Sequence, residues 1–178
     1  MYKSPTRRNR ATALLIGFAL GLSAVAGSAH AQGKPLPIQI QSNDADLSQQ
    51  RGVSTYTGNV VLTRGGLTLT GNKLVISRIN DRGNIKAVLD GQPAKFDKQP
   101  DRTGDNVVTG NSSTIEYTNN NATVLLRGNA VVRRGGDEVR GQIIRHNLDT
   151  ERTQAETASG SSERVRITIQ PKPGDDTP

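Results

Sequence analysis

Few residues in this chain could do chemistry, and most of those are arginines. Past residue 31 the only histidine is His146, set in an alternating segment (142–146) with no second ligand at a metal-binding spacing. It reads as a structural or surface residue. Asn43-Asp44-Ala45-Asp46 is rich in oxygen ligands, but it lacks the glycine and distal glutamate of an EF-hand, so a strand-connecting turn is the reading. No serine occupies a Gly-x-Ser-x-Gly elbow, there is no cysteine, and no carboxylates are paired in matched settings. The expectation is a protein that is not an enzyme and uses no cofactor or metal. Arg64, Arg133, Arg134, Arg140 and Arg145 carry two readings. They could ring the mouth of a groove for an anionic lipid. They could equally be solvated charges that discourage edge-to-edge aggregation of strands.

The elements that would position these side chains are all strands. Apolar residues recur at spacing two, and Gly, Asn and Asp interrupt them every eight to twelve residues. Alternating runs cover 36–41, 53–57, 60–63, 67–70, 73–77, 85–89, 94–96, 106–109, 113–117, 122–126, 130–133, 138–140, 142–146, 153–157 and 164–170. That predicts an all-β protein of about sixteen short strands. Arg64-Gly65-Gly66 and Arg134-Gly135-Gly136 have the composition of tight hairpin turns. Gly58-Asn59 and Gly128-Asn129 read as bends or bulges that let a strand pass from one sheet to a facing one.

These features repeat. Without a gap, Gly58, Asn59, Val61, Arg64, Gly65, Gly66 and Gly71 fall on Gly128, Asn129, Val131, Arg134, Gly135, Gly136 and Gly141, an offset of 70 residues. Further back, Ser42 falls on Ser112, Asp46 on Glu116 and Leu47 on Tyr117. A chain built twice from one strand-and-turn pattern presents a long surface or groove rather than a catalytic pocket. Residues 97–105 form a polar loop between the halves, and the Pro/Asp/Gly-rich 171–178 reads as a disordered tail.

The N-terminus reads as a cleavable signal peptide over 1–31. Lys3, Arg7, Arg8 and Arg10 precede an apolar stretch from about Ala11 to Ala26, and Ala29-His30-Ala31 is a small-x-small cleavage site. Ordinary secretion fits better than the twin-arginine route, because Asn9-Arg10 follow Arg7-Arg8. Four of the 23 basic residues and none of the 16 acidic ones lie in this segment, so the formal charge of +7 falls to +3 in the exported form. That modest charge argues against nucleic acid as a partner. Without cysteine there are no disulfides, and the fold must rest on strand ladders and aliphatic packing. Only Tyr56, Phe96 and Tyr117 supply aromatic bulk after residue 31. A narrow aliphatic interior of this kind suits either a solid sandwich core or a trough for acyl chains.

Residues 37–45 (PIQIQSNDA), then Tyr56-Thr57-Gly58-Asn59-Val60 and Arg64-Gly65-Gly66-Leu67, resemble the OstA-like domain (LptA-type) family of lipopolysaccharide transport. Leu126-Arg127-Gly128-Asn129-Ala130 repeats the signature, and Gln92-Pro93-Ala94-Lys95-Phe96 resembles the family's mid-domain segment. The chain departs from the family at Gly71-Asn72, where Ala-Asp is usual, and at Ser42-Asn43-Asp44, where Ser-Asp is usual. The resemblance implies a twisted, V-shaped antiparallel β-jelly roll over 32–170, located in the periplasm. Lipid A acyl chains of lipopolysaccharide would lie inside it. It also implies docking of the inner-membrane partner LptC on the N-terminal strand (36–41), of the outer-membrane partner LptD on the C-terminal strand (164–170), and head-to-tail self-association. For the lipid-facing interior, the alternation selects Ile38, Ile40, Leu47, Tyr56, Leu62, Leu69, Ile76, Phe96, Tyr117, Leu125 and Val131, with Ile38, Ile40 and Phe96 matching family positions best. The competing reading is a structural or adhesive β-solenoid with a solid core and no groove.

Overall fold

Alternating β-branched and polar residues, punctuated by glycine turns, give strands that each pair with the next in sequence. The computed structural model describes residues 36–80, 83–100, 103, 106–160 and 162–171. The segment expected to be a signal peptide (1–31), and all of the expected tail except Pro171, lie outside these residues. Ten strands are formed among the described residues: β1 (Gln39–Gln41), β2 (Asp44–Ser48), β3 (Val53–Arg64), β4 (Leu67–Arg78), β5 (Ile85–Lys98), β6 (Val108–Thr118), β7 (Thr123–Arg134), β8 (Asp137–Asn147), β9 (Thr153–Glu156) and β10 (Arg166–Thr168). All belong to one antiparallel sheet in which β3 to β8 run as a meander. The four short strands trim its edges. β1 and β2 both pair with β3, and β9 and β10 both pair with β8.

The register of every central pair breaks at mid-strand. The breaks fall between Thr57 and Val60, Thr70 and Lys73, Asp90 and Ala94, Asn111 and Thr114, and Arg127 and Ala130. Together they line up as a crease across the sheet, dividing it into two leaves. The first leaf holds residues 53–57 of β3, 73–78 of β4, 85–90 of β5, 114–118 of β6, 123–127 of β7 and 143–147 of β8, bordered by β2 and β9. The second leaf holds the other halves, bordered by β1 and β10. At the crease Gly58 (φ 77°) and Asn59 (φ 47°) in β3 match Gly128 (φ 80°) and Asn129 (φ 50°) in β7. Glycine and asparagine are the residues that adopt positive φ at least cost, which is why the repeat carries them here.

The count of about sixteen strands is therefore corrected to ten. The Gly-Asn interruptions do not end strands. They are bulges inside strands of 11 to 14 residues, and counting each half separately inflated the number. Two facing sheets are likewise replaced by one sheet folded once. The Asn43–Asp46 segment is also not a connecting turn throughout, because Asp44 already begins β2.

The core fills the angle between the leaves. Val60, Leu62, Leu67 and Leu69 from one half of the sheet pack with Leu74, Leu89, Ile115, Leu126 and Ile144 from the other, all almost fully buried. Across the crease inward parity is kept in β3 and β7 and reversed in β4, β5, β6 and β8. In β3 the inward positions stay even (Tyr56, Val60, Leu62). In β4 they change from odd (Leu67, Leu69) to even (Leu74, Ile76). Gly110 of β6 is an inward position left without a side chain. A Cβ there would stand 2.2 Å from Phe96 Cε1, so the ring lies directly against the β6 backbone.

Candidate functional site

The inner face is aliphatic because six strands each present every second residue to it. Of the eleven residues selected from the sequence, Leu62, Leu69, Phe96 and Tyr117 are in the buried cluster, and Ile38, Ile40, Tyr56 and Ile76 pack against it, partly exposed. Leu47 is placed differently from the expectation. Its cross-strand partner is Ser54, which sets it on the inner side, but β2 is an edge strand paired only with β3, and Leu47 is 63% exposed. Leu125 and Val131 are buried, yet they alternate with the core residues Val124, Leu126, Ala130 and Val132. They therefore point to the outer face, where their partners are Glu116, Arg145 and Arg140. Sequence reasoning missed Val60, Leu74, Leu89, Ile115, Leu126 and Ile144, all core residues. Extending the alternation from Leu62, Ile76 and Tyr117 would have found Val60, Leu74 and Ile115.

The apolar face does not stop where the core is covered. At the β1–β2 edge it continues to Leu36 and Leu47, and at the β9–β10 edge to Ile167, the partner of inward Val139, and to Ile169. These four are among the six large hydrophobic residues most exposed in the described chain. An apolar surface thus passes between the leaves and emerges at both ends, beside strands β1 and β10 whose outer edges have no partner strand among the described residues.

The long side opposite the crease is closed by contacts between the free margins of the leaves. Arg64, the last residue of β3, donates from Nη1 to the Tyr117 hydroxyl near the end of β6, at 2.5 Å. The Phe96 and His146 rings stack at 6.2 Å, joining β5 of the second leaf to β8 of the first. Arg134, at the end of β7, pairs with Glu151 in the β8–β9 turn at 2.7 Å. His146 is 3% exposed, and its Nδ1 is 2.9 Å from Thr153 Oγ1. Burial pushes the imidazole below its usual value. The nearby Glu151 carboxylate opposes this and Arg134 reinforces it, both by smaller amounts. His146 is thus a structural residue of the interior.

The remaining arginines of the candidate group face outward. Arg133 pairs with Glu138 at 2.7 Å, and Arg140 donates to the same carboxylate. Those contacts, the hydrogen bond from Arg140 foremost, hold the Glu138 carboxyl below the usual range. Beside them an outer recess of about 720 Å³ lies between the β7–β8 crease and residues 162–166, and Val131 is one of its walls. No group of three or more His, Cys, Asp or Glu residues that could hold a metal occurs among the described residues. No helix among them is long and apolar enough to cross a membrane.

One antiparallel sheet, helix-free among the described residues, folded over an apolar interior with two unpaired strand edges defines an all-β protein. The family described as LptA/(LptD N-terminal domain) LPS transport protein matches residues 39–152, and the chain belongs to that family. The lipopolysaccharide export system protein LptH of Pseudomonas aeruginosa is 32% identical over 162 residues, which are 85% of this chain and 91% of that protein. The lipopolysaccharide export system protein LptA of Escherichia coli K12 is 31% identical over 137 residues, 76% of this chain and 71% of that one. The crystal structure of the P. aeruginosa LptH, described as the LptA-homologous periplasmic component of the conserved lipopolysaccharide transport device, superposes with a TM-score of 0.70. It is 29% identical, with 76% of this chain and 96% of that chain covered.

Proposed function

We propose that this protein is a periplasmic, non-enzymatic carrier that shelters the lipid A acyl chains of lipopolysaccharide between the two leaves on their way to the outer membrane. In this reading residues 1–31 are removed on export and 32–170 form the twisted, V-shaped jelly roll of the family. The observation that carries it is the apolar face that runs through the fold and surfaces at both edges, through Leu36 and Leu47 at one and Ile167 and Ile169 at the other. A solid solenoid would gain nothing from four exposed aliphatic side chains at its ends. Each acyl CH₂ removed from water contributes about 0.8 kcal/mol, so a few buried chains supply ample drive for transfer. The open strands β1 and β10 suit strand addition, with LptC docking on the N-terminal edge, LptD on the C-terminal edge, and further copies joining head to tail.

Lipid-facing positions in this reading are Ile38, Ile40, Leu47, Tyr56, Leu62, Leu69, Ile76, Phe96 and Tyr117, while the outward Leu125 and Val131 drop out. A photo-crosslinking residue at Ile40 or Phe96 should capture lipopolysaccharide, and one at the exposed Gln41 should not. Equal labelling at all three would sink the interior assignment. Removal of 164–170 should abolish binding to the outer-membrane partner alone, and survival of that contact would reverse the polarity.

A further inference from the structure

The centre of the inner face is closed to solvent, so an acyl chain entering from the long side must part the leaves along their free margins. Arg64 and Arg134 hold those margins, and they are the same residue of the 70-residue repeat. Both occupy inward positions of their strands, β3 and β7, whereas Arg133, Arg140 and Arg145 alternate to the outside. Their partners differ in a telling way. Among the described residues Arg64 meets only neutral groups, the Tyr117 hydroxyl at 2.5 Å and the Leu36 carbonyl at 3.5 Å, so its charge lacks a counter-ion. Arg134 has Glu151, but the two side chains are 40% and 49% exposed, and an ion pair so open to water is weak. Both arginines are therefore held well enough to close the mouth and loosely enough to exchange partners.

We propose that Arg64 and Arg134 are paired latches across the mouth, released when each trades its protein partner for a phosphate on the head group of an entering amphiphile. The guanidinium matches a phosphate with two parallel hydrogen bonds, stronger than one bond to a phenol or a solvated pair with a carboxylate. The exchange therefore opens the leaves and fixes the head group at the rim while the chains enter. This rests on the carrier reading and adds its gate. The hairpin turns behind the latches touch the two docking ends: a Cβ on Gly65 would meet Leu36 Cδ1 at 2.8 Å, and one on Gly136 would meet Gln170 Cγ at 2.6 Å. Each latch is thus mounted on a hairpin whose turn packs against a different end of the sheet.

The test compares the wild-type protein with Arg64→Gln, Arg134→Gln, the double variant and the matching Arg→Lys forms, after circular dichroism has verified that each is folded. Two readouts are taken. One is fluorescence of an anilinonaphthalene dye, which reports exposure of the inner face. The other is affinity for lipid A carrying both phosphates against dephosphorylated lipid A, each in detergent micelles. The wild type should favour the phosphorylated lipid by about ten-fold or more, the difference between charge-assisted and lost contacts. In the double Gln variant that preference should fall towards one and the dye signal without lipid should rise. The Lys forms should keep part of the preference. Inorganic phosphate alone, which competes for the same guanidinium groups, should raise the dye signal of the wild type and leave that of the double Gln variant unchanged; no rise in the wild type, or an equal rise in both, would overturn release by phosphate. An unchanged preference in the double Gln variant, or a dye signal without lipid no higher than that of the wild type, would overturn the latch. Failure of every form to bind either lipid would instead remove the carrier reading, and the dye signal would still judge the latch.

Discussion

Replacing Gly110 with alanine tests the packing at the closed mouth with one methyl group. The φ of Gly110 lies outside the left-handed region, so alanine fits the backbone and by itself would stabilise the strand by roughly 0.5–1 kcal/mol. The new Cβ would stand 2.2 Å from Phe96 Cε1, 2.8 Å from Cδ1 and 2.9 Å from the Val131 carbonyl oxygen. The ring must retreat by about 1.2 Å to reach ordinary contact at 3.4 Å. The ring is already stacked on His146, and the carbonyl belongs to a strand paired with β6 that cannot readily follow. Overpacking of this kind costs about 1–3 kcal/mol, and with the ring and the carbonyl both engaged the upper end applies. The net loss is about 2 kcal/mol, or a fall in Tm of roughly 5–8 °C for a domain of this size. Urea unfolding followed by circular dichroism measures it. The decisive control is Phe96→Leu, which shortens the group that clashes. In that background Gly110→Ala should cost at least about 1 kcal/mol less, the coupling typical of residues in contact. Full additivity of the two substitutions, or a Gly110→Ala protein as stable as the wild type, would refute the argument.

Two further outcomes follow from the crease and the buried imidazole. Gly128→Ala forces a side chain into φ +80° with its Cβ 2.8 Å from Ser113 Oγ, and should lower the urea-unfolding free energy by about 2 kcal/mol. A loss below about 0.5 kcal/mol would mean the bulge does not need glycine. Because burial depresses His146, the unfolded chain takes up a proton at higher pH than the folded one. That contribution to stability is complete above the ordinary imidazole value of about 6.5 and is lost as pH falls from there through the depressed folded value. His146→Phe should flatten the pH profile in that window, and an unaltered slope would assign it to other groups.

Much of the architecture was legible because alternation and glycine placement are local. The hairpins at Gly65-Gly66 and Gly135-Gly136, the bulges at Gly58-Asn59 and Gly128-Asn129, and the inward places of Leu62, Leu69, Phe96 and Tyr117 all follow from period two and φ > 0 chemistry. Facing was harder wherever apolar residues stand side by side. Val124-Leu125-Leu126 and Ala130-Val131-Val132 are apolar at every position, so either parity fits the letters, and only the register shows that Leu125 and Val131 face out. Leu47 exposes another limit. Its repeat equivalent Tyr117 is buried, but Tyr117 lies on a strand paired on both sides, whereas Leu47 lies on a short edge strand paired on one. The mouth contacts were out of reach for the same reason. They join residues 53, 50 and 17 positions apart, and no local pattern encodes which strand ends meet.

The meander has a consequence for how such a molecule comes into being. From β3 to β8 every strand pairs with the one made just before it, so no segment waits for a distant partner, and loop-closure entropy stays small for an all-β chain. The 70-residue offset carries β3 onto β7, a step of four strands. A chain that emerges unfolded can therefore zip from one end to the other, without disulfides to reshuffle. Nothing in the pairing fixes where the zipper must stop: copying another four strands into the gene would lengthen the sheet and leave every earlier contact in place.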